Sequence, residues 1–192
     1  VEVLSPELAE ARVLDAAEAL FYDRGIQLVG MDEIRSTSGV SLKRLYQLYP
    51  SKGDLVEAYL RRRDEAWRRR LAEYADARPS PRESLLAVFD WLHDWFDEPD
   101  FRGCAFINSF GELGATSPEV AAIARAHKDA FRRYLADLVA AAGEPAWVAD
   151  HVALLAEGAI TTAAISGSPQ PARQAKDAVR IILESTGGPR PA

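Results

Sequence analysis

Apolar residues along the chain recur mostly at helical spacing, and the breaks between them carry helix-capping chemistry. The first pattern runs from Pro6 to about Arg24, with Val13, Ala17, Leu20 and Phe21 on one face. Ser5-Pro6-Glu7 supplies a cap, a proline at the first helical position and an acid at the positive end of the dipole. Gly25 ends that helix. Two short patterns follow: Met31 to about Thr37, then a second helix from Ser41, with a tight turn at Gly39. Glycine bends a chain sharply without steric penalty, which a helix-turn-helix needs. Ser51-Lys52-Gly53-Asp54 is a capping-box pattern opening a long helix to about Ala77, whose apolar stripe is Val56, Leu60, Trp67, Leu71 and Tyr74.

Beyond a loop at Pro79-Ser80-Pro81, a helix to about Asp97 carries Leu85, Val88, Phe89, Leu92, Trp95 and Phe96. Pro99 to Gly103 breaks it, and Cys104 to Leu113 forms a short segment. Ser117-Pro118-Glu119 opens a helix ending near Gly143, and Glu144-Pro145 starts another to about Ser166. A last helix ends by Ser185, and Gly187 onward reads as a loose tail. With no repeat and no strand pattern, the predicted class is all-α. An N-terminal helix-turn-helix domain (1–52) is joined by a fourth helix (about 51–77) to a C-terminal helical domain (78–192).

The helix after Ser41 has two unlike sides. At about 100° per residue, Leu45 and Leu48 fall together with Val40 just before them. Lys43 and Gln47 fall opposite, flanked by Arg44 and Tyr46. Arg, Lys and Gln donate to base edges, and Tyr and Lys to phosphates, so this side suits a DNA groove. Periodicity alone fits an ordinary solvated helix equally well.

Gly39-Val40-Ser41, Leu45-Tyr46, Tyr49-Pro50-Ser51-Lys52 and Leu55 together resemble the signature of TetR-family transcriptional regulators, over a stretch from about Ala16 to Leu60. The resemblance implies an all-α homodimer that binds a double-stranded DNA operator and is released by a small-molecule effector. On that resemblance, Ser41, Lys43, Arg44, Tyr46 and Gln47 correspond to recognition-helix contacts and Lys52 to a phosphate contact. Two positions depart from the family pattern. Val29 and Gly30 stand where Thr or Ser is common, and Arg35 stands where a small residue is usual.

Trp91, Trp95, Phe106, Phe110, Phe131 and Tyr134, with Cys104, Asn108 and His127 nearby, can line an apolar cavity with a few orienting polar groups. They can equally be simple core. The resemblance favours an effector cavity there, and Arg102 to Asn108 resembles a motif of one branch of the family. Val148, Val152, Leu155, Ala159 and Thr162, with Val179 and Ile182 on the last helix, read either as a four-helix dimer interface or as intramolecular core. Two basic triplets, Arg61–Arg63 and Arg68–Arg70, have Asp64 and Glu65 between them and read as a salt-bridged face.

Net charge is −6, which by itself argues against nucleic acid. The distribution alters that conclusion: Arg24, Arg35, Lys43, Arg44 and Lys52 against Asp32 and Glu33 leave +3 between residues 24 and 52. A single Cys104 excludes an internal disulfide and, with no signal-peptide pattern and no long uninterrupted apolar run, leads to the expectation of a cytoplasmic protein with no membrane span. His93 with Asp90, Asp94 and Asp97 offers only one soft ligand, so no metal or cofactor is expected. No nucleophile–base constellation suggests an enzyme. The expected function is a regulator, specifically a repressor, released from a palindromic operator by a small apolar or aromatic effector. The alternative is a small-molecule-binding helical protein without a DNA-binding role.

Overall fold

A computed structural model describes residues 5–186, so the tail expected from Gly187 onward lies outside the described residues. Among the described residues there are nine helices and no strand. They are α1 (Pro6–Arg24), α2 (Met31–Ser38), α3 (Leu42–Leu48), α4 (Lys52–Asp76), α5 (Pro81–Phe96), α6 (Ala105–Leu113), α7 (Pro118–Ala141), α8 (Trp147–Ser166) and α9 (Gln170–Thr186).

Several helix starts fall where the capping residues put them, whereas α8, expected from Glu144-Pro145, begins at Trp147 with no side-chain cap. Ser5 Oγ accepts from the Leu8 amide at 3.2 Å, and Ser41 Oγ from the Arg44 amide at 3.3 Å. The capping box at α4 closes in both directions: the Asp54 amide donates to Ser51 Oγ (3.1 Å) and the Ser51 amide to the Asp54 carboxylate (2.9 Å). Each bond satisfies a backbone donor that a helix end leaves unpaired.

Packing divides the chain differently from the linear cut expected near Pro79. One compact unit comprises the chain up to Glu65 together with Ala105–Arg125; the other comprises Ala66–Cys104 and the chain from Ala126 onward. In the first unit, Val13, Ala17, Phe21, Ile34, Val40, Leu45, Leu55 and Leu60 are all at most 3% exposed. The triplet Arg61–Arg63 is spent on ion pairs here. Arg62 reaches Asp15 (2.8 Å) and Glu18 (2.7 Å) on α1, Arg63 reaches Glu18 (2.8 Å), and Arg61 pairs with Glu57 (3.0 Å).

In the second unit α5, α8 and α9 pack on one another. Leu85, Leu92, Val148, Val152, Ile160 and Val179 form part of its core. Lys176 on α9 holds both carboxylate oxygens of Asp90 on α5 at 2.6 Å, so Asp90 serves an ion pair. By length and composition alone α8 is apolar enough to cross a membrane, although Asp150 and Glu157 interrupt its apolar run. Its Val148, Val152, Ala156, Ile160 and Ala163 are instead buried in this unit.

Candidate nucleic-acid interface

Gly39 makes the turn between α2 and α3 with φ +68°, in the left-handed region, and its amide closes α2 on the Arg35 carbonyl at 3.0 Å. Ser38 is buried at this corner, and its Oγ accepts from the Val40 amide at 3.3 Å. Leu45, fully buried, fixes α3 by its back, and Leu48 is half-buried beside it. Leu42, Lys43, Tyr46 and Gln47 are exposed. Taken around the helix axis they form one continuous arc in the order Leu42, Tyr46, Lys43, Gln47. Arg44, half-buried, flanks that arc and donates to Gln47 Oε1 at 3.4 Å. Neither Asp nor Glu occurs in α3.

Four long-range hydrogen bonds, one to Glu10 and three to Glu112, hold this corner. Tyr49, just after α3, donates its hydroxyl to Glu10 on α1 at 3.2 Å. Burial pushes its phenol up to about 12, with the Glu10 charge and hydrogen bond adding to the effect and Arg62 opposing it. Glu112 on α6 accepts from the backbone amides of Ile26 (3.1 Å) and Gln27 (2.9 Å), while Gln27 Nε2 donates to the Glu112 carbonyl at 2.7 Å. Lys52 differs from the other predicted contacts. It is half-buried, with its ammonium 5.9 Å from the Phe21 ring centroid, and burial lowers its pKa against the opposing charge of Glu112. Arg24 is paired with Glu33, and Arg35 stands 3.5 Å from Asp32.

On the second unit an open apolar groove of about 490 Å³ is lined by His151, Leu154 and Leu155 of α8 and Ala178, Ile181 and Ile182 of α9. Leu154 is 73% exposed, Ile181 67% and Ile165 83%.

Residues 13–59 match the profile of the family described as bacterial regulatory proteins, tetR family. The fold matches a crystal structure of a TetR-family transcriptional regulator from Streptomyces coelicolor with a TM-score of 0.87, 28% identical, over 95% of this chain and 97% of that one. The chain belongs to the TetR family. It is 34% identical over 132 residues to the HTH-type transcriptional activator FasR of Mycolicibacterium smegmatis, covering 67% of this chain and 57% of FasR. An uncharacterised HTH-type transcriptional regulator of Mycobacterium tuberculosis is 32% identical over 126 residues, covering 62% of this chain and 61% of that protein. The chain thus spans about three-fifths of the length of the curated relatives it matches.

Within this TetR-family chain the residues expected to line an effector cavity are drawn from both compact units. Trp91, Trp95, Cys104, His127, Phe131 and Tyr134 belong to the second unit, whereas Phe106, Asn108 and Phe110 lie on α6 in the first. Asn108 is exposed and Phe110 is 53% exposed, because α6 turns Phe106 and Ser109 inward instead. In the second unit the rings pack on each other around a residue absent from that expectation, Trp67 of α4. Its ring stands edge-on to Trp91 (5.0 Å between centroids), Trp95 (5.7 Å), His127 (5.1 Å) and Phe131 (5.2 Å). Trp67 was visible in the sequence as part of the α4 stripe; nothing local tied it to α5 and α7. Tyr134 donates to Asp76 at 2.9 Å, and burial first, then that bond, raises its pKa. Cys104 is buried with the Lys128 ammonium 3.4 Å from its sulfur, and Lys128 is itself paired with Glu157 at 2.6 Å.

The expected dimer residues also divide. Val148, Val152, Ala159 and Val179 point into the chain's own core, each at most 5% exposed, because α8 and α9 bury those faces against one another and α5. Leu155, Thr162 and Ile182 stay on the outer side, and the exposed Leu154, Ile165 and Ile181 join them there without having been singled out in the sequence.

Proposed function

We propose that this chain is a homodimeric DNA-binding transcriptional regulator, specifically a repressor that leaves a palindromic operator when a small apolar or aromatic effector binds. The observation that carries the DNA reading is the α3 arc: donors on Lys43, Tyr46 and Gln47 face outward on a helix anchored by a fully buried Leu45. Ser41 and Arg44 border that arc, and the half-buried Lys52 at the start of α4 supplies a phosphate contact. Family membership and the names of the relatives support a regulator rather than an enzyme.

The apolar groove of α8 and α9 is the surface for the second copy. An isologous pairing there supplies the two copies of α3 that a two-fold operator requires, about 34–36 Å apart or a multiple of that. Release then needs an effector that binds the DNA-incompetent arrangement more tightly, by roughly 1–3 kcal/mol. The name of the FasR relative favours a second reading, activation from the same DNA contacts.

Two measurements test the proposal. Lys43→Ala and Tyr46→Ala proteins, titrated with the DNA upstream of the chain's own gene, are expected to bind about tenfold or more weakly than wild type. Unchanged affinity in both removes α3 as the reader, and no mobility shift by wild type at low salt leaves the helical small-molecule binder in its place. A promoter fusion separates repression from activation by the sign of its response.

A further inference from the structure

The exposed arc of α3 begins with a residue that has no donor. Leu42 is 39% exposed and Tyr46, one turn on, is 45% exposed, so the two side chains adjoin on one flank of the helix. Single exposed leucines are ordinary on protein surfaces. This one sits on a seven-residue helix already anchored by Leu45, beside Lys43 and Gln47, with no acidic residue anywhere on the helix. One exposed leucine beside a row of donors, with cationic charge only, complements one surface in particular. In the major groove thymine presents a 5-methyl group beside its O4 acceptor, and the paired adenine presents N7 and N6.

We propose that Leu42 reads the 5-methyl group of a thymine, making it a determinant of sequence preference in each half-site; this rests on the reading of α3 as the recognition helix. The methyl and the leucine side chain lose water together when they meet. Cytosine at that position offers no methyl and brings its N4 donor against a side chain unable to accept from it. Lys43 and Gln47 supply the polar contacts to neighbouring base edges, so Leu42 contributes discrimination more than affinity.

The test uses duplexes selected by the full chain from a random-sequence pool, resynthesised with deoxyuridine replacing each thymine in turn, which removes the methyl and nothing else. At one thymine per half-site the wild type is expected to bind the deoxyuridine duplex about three- to tenfold more weakly. Leu42→Ala is expected to bind both duplexes equally, Leu42→Met to keep the preference, and Lys43→Ala to bind more weakly overall while keeping it. If no deoxyuridine affects the wild type, or Leu42→Ala discriminates as fully as wild type, the inference is wrong. Should Lys43→Ala and Tyr46→Ala also bind as wild type, the recognition-helix reading fails with it. A pool that yields no selected duplex overturns both.

Discussion

Tyr49 shows how one side chain carries both fold and titration. Its phenol is buried and donates to Glu10, so the neutral form is favoured in the folded chain and the pKa rises to about 12. A folded pKa above the unfolded value of about 10 means the stabilisation is complete below pH 10 and is lost as pH climbs toward 12. Tyr49→Phe should therefore cost about 1 kcal/mol at neutral pH and lose less stability than wild type across that alkaline window, read by urea unfolding at stepped pH. Tyr134 and Tyr74 are raised in the same direction in both proteins, so the difference between the two curves reports Tyr49. Gly103 is the second case. Its φ is +83°, and a Cβ added there would lie 3.0 Å from the Ala164 Cβ. Gly103→Ala should destabilise by about 1–2 kcal/mol from the left-handed backbone alone, with the contact to α8 adding to it. A thermal unfolding midpoint unchanged from wild type would contradict this.

Among the helices, α6 has a role that its own sequence does not announce. It is short, yet Glu112 near its end caps the turn between α1 and α2 through two backbone amides, and Gln27 bonds back to the Glu112 carbonyl. An ionised carboxylate accepting two amides is a charge-assisted arrangement, and Ala removes both bonds at once. Glu112→Ala should cost about 1–2 kcal/mol and speed hydrogen exchange at the Ile26 and Gln27 amides, while the amide of Leu45, inside α3, keeps its protection. Glu112→Gln, which keeps one acceptor oxygen and puts an NH2 donor in place of the other, should fall between the two. Equal exchange rates in all three proteins would show that solvent already satisfies those amides. The basic triplet of α4 is the contrasting element: Arg62 and Arg63 bind carboxylates of α1, which takes them out of consideration as a second DNA surface.

At the scale of the whole molecule, the decisive feature is which sides of α8 and α9 stay uncovered. Leu154 and Ile181 stand in an open apolar groove, and a second copy covering it would bury both. Leu154→Glu combined with Ile181→Glu should weaken self-association by roughly 2–4 kcal/mol without unfolding the chain, measured by sedimentation. Affinity for a two-fold DNA site should fall with it, since one chain then engages one half-site at a time. Val152→Glu is the control with the opposite expectation: Val152 is fully buried, so the charge should unfold the chain rather than dissociate it. A double variant that sediments as wild type would place the partner elsewhere.

Local chemistry was enough to place most helices and the corner at Gly39. Serine caps, capping boxes and glycine stops act within a few residues of themselves, and Ser41, Ser51 and Ser80 make the bonds their spacing implies. The same holds for α3, where a polar side opposite Leu45 is a property of seven consecutive residues. Tertiary structure decided the rest. Helix α8 is apolar on most sides, so periodicity alone did not tell Val152, which faces core, from Leu154, which faces outward. Trp67 met Trp91 and Phe131, and Glu112 met Ile26, only because the fold brought together positions far apart in the chain. Contacts of that kind depend on which surfaces the helices bury against one another, and no window of neighbouring residues contains that choice.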